Sequence, residues 1–317
     1  MSEDVLTVAL VDSDFDDSDL ERAVVEGLGL RFVDARFTSD RRAILHSAVG
    51  AIVQYESVDR TFLDAAPRLT AVGTYGVGTD HIDVSLAESR GVQVLCVQDY
   101  CTQEVADHTL ALVLAALRGV VPLDAVVHAG HWPPSGEVGN LRVLADCTYA
   151  IVGFGKIGQA VAKRVSGFGG RVRAYDPFIS REKCAALGVT SVSLEEAFES
   201  DIVSLHLPLT EETRQIVGDS LLARLPEGAL LVNVSRGDVV DQDALAAAIA
   251  AGRISAALDV LGSEPPLVGQ IEALGSTTIV TPHAAWFSRN AEQRVRESAA
   301  SAVALHVRDH LKDRKGA

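Results

Sequence analysis

Three short segments carry side chains able to do chemistry: Val234-Ser235-Arg236-Gly237, Gly262-Ser263-Glu264-Pro265 and Thr281-Pro282-His283. In chain order they supply one guanidinium, one carboxylate and one imidazole. A guanidinium grips a carboxylate with a two-pronged fork and stabilises negative charge growing on a carbonyl oxygen. An imidazole exchanges protons near neutral pH. A carboxylate beside it orients the ring and favours its charged form. Taken singly, an Arg after a strand is a surface residue, a Glu before Pro is solvated and a His after Thr-Pro is a turn residue. The reading rests on the three together.

A nucleotide fingerprint precedes them. Gly153-Phe154-Gly155-Lys156-Ile157-Gly158 fits G-x-G-x-x-G directly after an apolar strand and opens a helix. The first glycine makes the turn, the second admits a pyrophosphate and the third lets helix and strand pack closely. Free amides and the positive dipole end of the helix then face the phosphates. Asp176 follows Gly158 by eighteen residues, at the end of the next strand. An acid there accepts ribose hydroxyls and repels a 2′-phosphate, so NAD is favoured over NADP, although Arg173 and Arg181 stand nearby. A dinucleotide beside Arg, Glu and His is the equipment for reversible hydride transfer to a 2-keto acid.

These residues need a frame. Short apolar runs alternate with helical patterns almost throughout, which predicts parallel sheets covered on both faces. Strands are expected at Val5–Val11, Ala51–Gln54, Thr70–Tyr75 and Val92–Cys96, with helices at Leu20–Leu28, Arg41–Ser47 and Val84–Ser89. A helix over Thr102–Ala116, capped by Thr102, precedes a Gly/Pro-rich loop at Gly130–Asn140. A second series follows: strands at Tyr149–Val152, Arg171–Tyr175, Ile202–Leu205, Ala229–Asn233, Ile254–Asp259 and Thr278–Val280, and a last helix from about Asn290 to His310. The fold class is α/β with two doubly wound parallel-sheet domains, whose ligands sit at the carboxyl ends of the strands.

Bulk properties bound the partners. The chain has 317 residues, enough for two domains, and 48% are hydrophobic. Lys and Arg total 28 against 43 Asp and Glu, a net charge of −15, which disfavours nucleic acid. Asp12, Asp14, Asp16, Asp17 and Asp19 crowd one stretch that reads as a solvated loop and helix start, with a metal site as the alternative. The four cysteines form no C-x-x-C pair, so no metal is expected and thiols in the cytoplasm are the default. The amino terminus is no signal peptide, and the apolar run Leu110–Leu117 is too short for a bilayer.

The chain resembles the D-isomer-specific 2-hydroxyacid dehydrogenases through YGVGTDHID from Tyr75, YCTQEVADHTLAL from Tyr100, IVGFGKIG from Ile151, SLHLPLTEET from Ser204, LVNVSRGDVVD from Leu231, ALDVLGSEP from Ala257 and TPHAAWFS from Thr281. Within the family it is most similar to the C-terminal-binding-protein-like and phosphoglycerate-dehydrogenase-like branch. The resemblance implies a flavodoxin-like substrate domain of residues 1–99 and 287–317, with a Rossmann NAD-binding domain of residues 100–286 inserted. A cleft between them, hinged near Gln98–Tyr100 and Trp286–Arg289, is expected to close on the ligands, and a homodimer is expected through the Thr102–Ala116 helix and the loop after it.

By the same resemblance, Arg236 would bind the substrate carboxylate and ketone oxygen, His283 would move the proton, and Glu264 would hydrogen-bond His283 and raise its pKa. Thr102, Gly153, Gly155, Lys156, Ile157, Gly158, Asp176, His206, Pro208, Thr213, Val234, Ser235, Asp259 and His283 would line the cofactor, Asp259 facing the nicotinamide amide. Tyr75, Gly76, Val77, Gly78, Arg236, Trp286 and Arg289 would touch the substrate, the glycine amides cupping its carboxylate.

The chain departs from the branch at Thr74, where many relatives carry Arg, and at Arg289, where an acid is common. Arg289 is therefore a candidate for a distal carboxylate, phosphate or phosphonate, with a surface Arg as the plain alternative. No regulatory domain is expected after Ala317. Two rivals share the scaffold: a dehydrogenase of phosphite or formate, and a dinucleotide-sensing corepressor-like binding protein.

Overall fold

The computed structural model describes residues 6–316. Two compact units result: residues up to Tyr100 together with those from Ser288, and residues 101–287. Val5, where the first strand is expected to begin, lies outside the described residues.

The first unit runs β1 (Thr7–Leu10), α1 (Asp19–Gly27), β2 (Arg31–Asp34), α2 (Arg41–Ser47), β3 (Gly50–Val53), α3 (Arg60–Ala65), β4 (Ala71–Thr74), α4 (Val84–Ser89) and β5 (Gln93–Cys96). Its sheet is wholly parallel in the order β2-β1-β3-β4-β5. β1, β3 and β4 are buried along their whole length, which is why they read as uninterrupted apolar runs. β2 and α3 escape a reading by pattern because each is short and mixes polar with apolar residues. Val11, Val53, Phe62, Leu63 and Val72 form one core on this sheet.

The aspartate-rich stretch is a loop that leads into α1 at Asp19, as expected, with Asp14, Asp16, Asp17 and Asp19 exposed, and two of its carboxylates also reach distant partners. Asp12 accepts the amides of Gln54 (2.9 Å), Tyr55 (2.7 Å) and Glu56 (3.1 Å), tying the end of β1 to the end of β3. Asp17 accepts Arg296 Nη2 at 2.7 Å, and Arg296 also clasps the buried Glu21 at 2.8 and 2.9 Å. Among the described residues no cluster of His, Cys, Asp and Glu could hold a metal.

The second unit runs α5 (Thr102–Leu117), α6 (Val120–His128), β6 (Thr148–Val152), α7 (Lys156–Gly167), β7 (Arg171–Tyr175), α8 (Arg181–Ala186), β8 (Thr190–Ser191), α9 (Leu194–Ala197), β9 (Ile202–Leu205), α10 (Asp219–Leu222), β10 (Ala229–Asn233), α11 (Gln242–Ala250), β11 (Ile254–Leu258), α12 (Gln270–Ala273) and β12 (Ile279–Val280). The order is β12-β11-β10-β9-β6-β7-β8, again parallel throughout. Strand order reverses between β6 and β9, so the glycine-rich turn after β6 opens into the crevice where such sheets hold ligands. Phe198, Val203, Leu205, Leu231, Leu245 and Leu258 fill one face of the sheet, each contributing about 1.5–3 kcal/mol by burial.

The chain then returns to the first unit as α13 (Arg289–Gly316), which lies over β3 and β4 and packs on α1. It runs past the expected end at His310. Thr102 is not a cap: Cys101 is the N-cap of α5, without a side-chain hydrogen bond, and Thr102 is the first helical residue. Nor does the helical run stop for good near Ala116, since α6 follows after Gly119 and exposes Val120, Val121 and Val127. Among the described residues no single helix is long and apolar enough to cross a membrane. α5 and α6 reach that length only as a pair bent by 61°.

Candidate active site

The residues singled out by type and spacing stand at the carboxyl ends of the second unit's strands: Gly153 after β6, Asp176 after β7, His206 after β9, Val234–Arg236 after β10, Asp259 after β11 and Thr281–His283 after β12. Adjacent strand ends are about 4.8 Å apart in a sheet, so a shared register brings far-apart segments together.

The turn after β6 is built for close approach. Gly153 has φ of +93°, and a Cβ there would lie 2.5 Å from the carbonyl oxygen of His206. Gly155 is the N-cap of α7, makes no side-chain cap, and a Cβ on it would meet nothing within 4 Å in the chain. Lys156, Ile157 and Gly158 then present first-turn amides. Asp176 accepts the Phe154 amide and the Phe178 amide, both at 2.8 Å, one on each carboxylate oxygen. It thereby fixes the glycine turn and keeps further acceptor positions. The backbone cradle, the helix end and the acid together fit a dinucleotide.

On the far side of the switch point, His206 Nε2 lies 3.0 Å from Ser204 Oγ. Burial lowers its pKa to about 3, so the ring is neutral. Thr213 Oγ1 donates to the Pro208 carbonyl at 2.6 Å and accepts the Thr210 amide at 2.8 Å, closing the loop that follows.

Arg236 is presented by a rigid turn. Asn233 accepts the Ser235 amide and hydroxyl at 3.0 and 2.8 Å and donates to the Arg236 carbonyl at 2.9 Å. Arg236 Nη1 donates to the Ser235 carbonyl at 2.9 Å. The next residue must be glycine, because a Cβ on Gly237 would run into the Leu261 carbonyl and the Gly262 nitrogen. That backbone contact presses the Arg236 turn against the segment that carries Glu264.

Glu264 Oε1 accepts the Leu261 amide at 3.0 Å, while Oε2 lies 2.6 Å from His283 Nδ1. Burial raises the carboxyl pKa, but the hydrogen bond and charge of His283, with the Leu261 amide and Arg236, pull it below its ordinary value. Facing a carboxylate, Nδ1 is the donor. Nε2 is therefore the ring nitrogen left for a ligand, and it bonds to no described residue. Both side chains remain more than a third exposed.

His283 itself has φ of +51°, a conformation that costs a non-glycine residue about 1 kcal/mol or more. Asp259 holds it there. Its carbonyl accepts the His283 amide at 2.8 Å; its carboxylate, almost wholly buried, accepts Thr281 Oγ1 at 2.5 Å and the amides of Ala284 and Ala285 at 2.9 Å each. This latch is more than the expected contact to a nicotinamide amide, and only topology reveals it.

Gly76–Gly78 lies in the first unit beyond β4. Beside it, the Tyr75 hydroxyl donates to Glu21 at 2.8 Å, and its ring packs edge-on to Phe15 at 5.1 Å. Burial and the Glu21 charge push the phenol pKa well up. Arg289, exposed, opens α13 in the first unit, while Trp286 packs edge-on against Phe287 in the second.

Comparison with known proteins gives a consistent result. Residues 110–285 match the family described as D-isomer specific 2-hydroxyacid dehydrogenase, NAD binding domain. D-3-phosphoglycerate dehydrogenase of Mycobacterium leprae is 36% identical over 293 residues, 90% of this chain and 55% of that protein. Glyoxylate reductase of Korarchaeum cryptofilum is 40% identical over 262 residues, 81% of this chain and 78% of that protein. The chain spans about half the length of the curated phosphoglycerate dehydrogenases it matches. Among solved structures, D-lactate dehydrogenase from Aquifex aeolicus, complexed with NAD and lactic acid, superimposes with a TM-score of 0.87 at 27% identity, covering 98% of each chain.

Proposed function

The chain belongs to the D-isomer-specific 2-hydroxyacid dehydrogenase family, and on that premise we propose that it is an NAD-dependent oxidoreductase interconverting a small 2-keto acid and its D-2-hydroxy acid. The observation that carries this reading is the 2.6 Å contact between His283 Nδ1 and Glu264 Oε2, with Arg236 on the adjoining turn. Bound nicotinamide supplies the hydride. His283 Nε2 gives a proton to the ketone oxygen during reduction and takes it back during oxidation. Glu264 holds the ring in the Nδ1–H form and stabilises its positive charge. Arg236 binds the substrate carboxylate and steadies charge developing on the carbonyl oxygen.

NAD is the preferred dinucleotide because Asp176 offers a carboxylate where a 2′-phosphate would bring further negative charge. We place the enzyme in the cytoplasm as a homodimer. Four free cysteines fit a reducing compartment, and the exposed apolar residues of α6, with Trp132 beyond them, fit a subunit contact.

A screen of 2-keto acids with NADH tests the reading, spanning glyoxylate, pyruvate, diacids and phosphorylated acids, with formate and phosphite run with NAD in the other direction. Turnover of keto acids supports it. Turnover of formate or phosphite alone, or tight NADH binding without turnover of any acid, overturns it.

A further inference from the structure

The turn that carries His283 has a second support, on α5. His108 Nε2 lies 3.0 Å from Thr281 Oγ1 and 3.5 Å from Asp259 Oδ1. A hydroxyl has one proton, and that of Thr281 is given to Asp259 at 2.5 Å, because a carboxylate only accepts. The Thr281 oxygen must therefore accept, and His108 Nε2 must carry the proton it accepts. A directed chain results: His108 donates to Thr281, Thr281 donates to Asp259, and Asp259 accepts the Ala284 and Ala285 amides while its carbonyl takes the amide of His283.

α5 can hold such a donor in place. Val105 and Leu112, one turn before and after His108 on the same stripe, are buried, and the helix packs on α7, β10 and β11. His108 keeps 24% of its side chain exposed, so it is no ordinary core residue. The strained backbone of His283 needs its surroundings to over-determine it.

We propose that His108 is a positioning residue for His283, acting through the Thr281 hydroxyl and the Asp259 carboxylate to set the direction of the imidazole. The proposal rests on the functional reading above for its kinetic consequence, but not for its geometry. It also gives the chain a reason to place histidine, rather than another apolar residue, at this point of a buried stripe.

The test compares the parent with His108→Leu, which keeps bulk and loses the donor, and His108→Gln, whose amide nitrogen reaches the same place. Ring nitrogen spectra of the substrate-free proteins report tautomers and the His283–Glu264 hydrogen bond. His108 is expected in the Nε2–H form. The His283 ring signals should move in His108→Leu and stay in His108→Gln. With a keto acid the parent turns over, kcat should fall about ten-fold or more in the Leu variant, with NADH affinity changed by less than about three-fold, and recover to within about three-fold in the Gln variant. An Nδ1–H tautomer at His108 overturns the proposal. So do unchanged His283 signals in the Leu variant, or a Gln variant as impaired as it. If the Leu variant does not fold, the parent tautomer and the Gln variant decide. If no acid is turned over, the functional reading fails and the ring spectra alone judge the role of His108.

Discussion

Glu264 and His283 meet across nineteen residues of chain, Oε2 to Nδ1 at 2.6 Å, and the meeting fixes which ring nitrogen faces a ligand. The other carboxylate oxygen is held by the Leu261 amide, so the acid cannot swing away without losing a second hydrogen bond. The pair is thus oriented before any ligand arrives, which lowers the entropy cost of reaching a reactive geometry.

Glu264→Gln keeps the shape and removes the charge. Reduction of a keto acid needs a proton on His283, and the charged ring then lacks its counter-ion. The rate of keto-acid reduction is expected to fall, with kcat lowered about 10- to 100-fold at neutral pH. Steady-state kinetics at neutral pH measure this, and a kcat within about three-fold of the parent contradicts the role given to Glu264.

The depressed Glu264 carboxyl also links pH to stability. Its folded pKa lies below the unfolded one, so its stabilising contribution is complete above the ordinary carboxylate range and is lost as pH falls through the folded value. Asp201 adds to the same trend: burial raises its pKa, but hydrogen bonds from Thr148 and the Arg142 charge pull it lower. Thermal unfolding followed downward from neutral pH should show Tm falling, with a smaller fall in Glu264→Gln than in the parent.

Arg236→Lys keeps a positive charge but loses the planar fork. Carboxylate recognition by two parallel hydrogen bonds then becomes a point-charge contact. An expected loss of about 100-fold in kcat/KM for the keto acid, with NADH affinity close to that of the parent, is read by steady-state kinetics and a binding titration. A loss under about three-fold would show that Arg236 does not hold the substrate.

Gly237→Ala tests the contact between the two catalytic turns. The added methyl meets the Leu261 and Gly262 backbone, which no rotamer change relieves. Destabilisation of about 1–3 kcal/mol is expected, seen as a lower denaturation midpoint, along with a fall in kcat. Parent-like values in both would mean that the two segments are not pressed together as described.

Much of this was legible beforehand, for identifiable reasons. Strands such as Ile202–Leu205 and Ala229–Asn233 are buried on both faces and so appear as mostly apolar runs, with Ser204 and Asn233 as their polar members. Gly153, Gly155 and Gly158 declare themselves because backbone must pass close to backbone or ligand. What pattern could not show was pairing between distant residues. That Asp259 latches the His283 turn, that His108 backs Thr281 and that Tyr75 spends its hydroxyl on Glu21 all depend on strand order, which spacing along the chain does not encode. The partners of Asp12 and Asp17 were hidden for the same reason, since Gln54 and Arg296 are 42 and 279 residues away.

His283 is the group proposed to move the proton. The most direct measurement is a single-turnover comparison of the parent and His283→Ala, each saturated with NADH and mixed with the best keto acid from the screen. The expected result is NADH binding within about three-fold of the parent and a hydride-transfer rate slower by about 100- to 10,000-fold. A His283→Ala protein that binds NADH and transfers hydride at the parent rate would show that His283 does not move the proton.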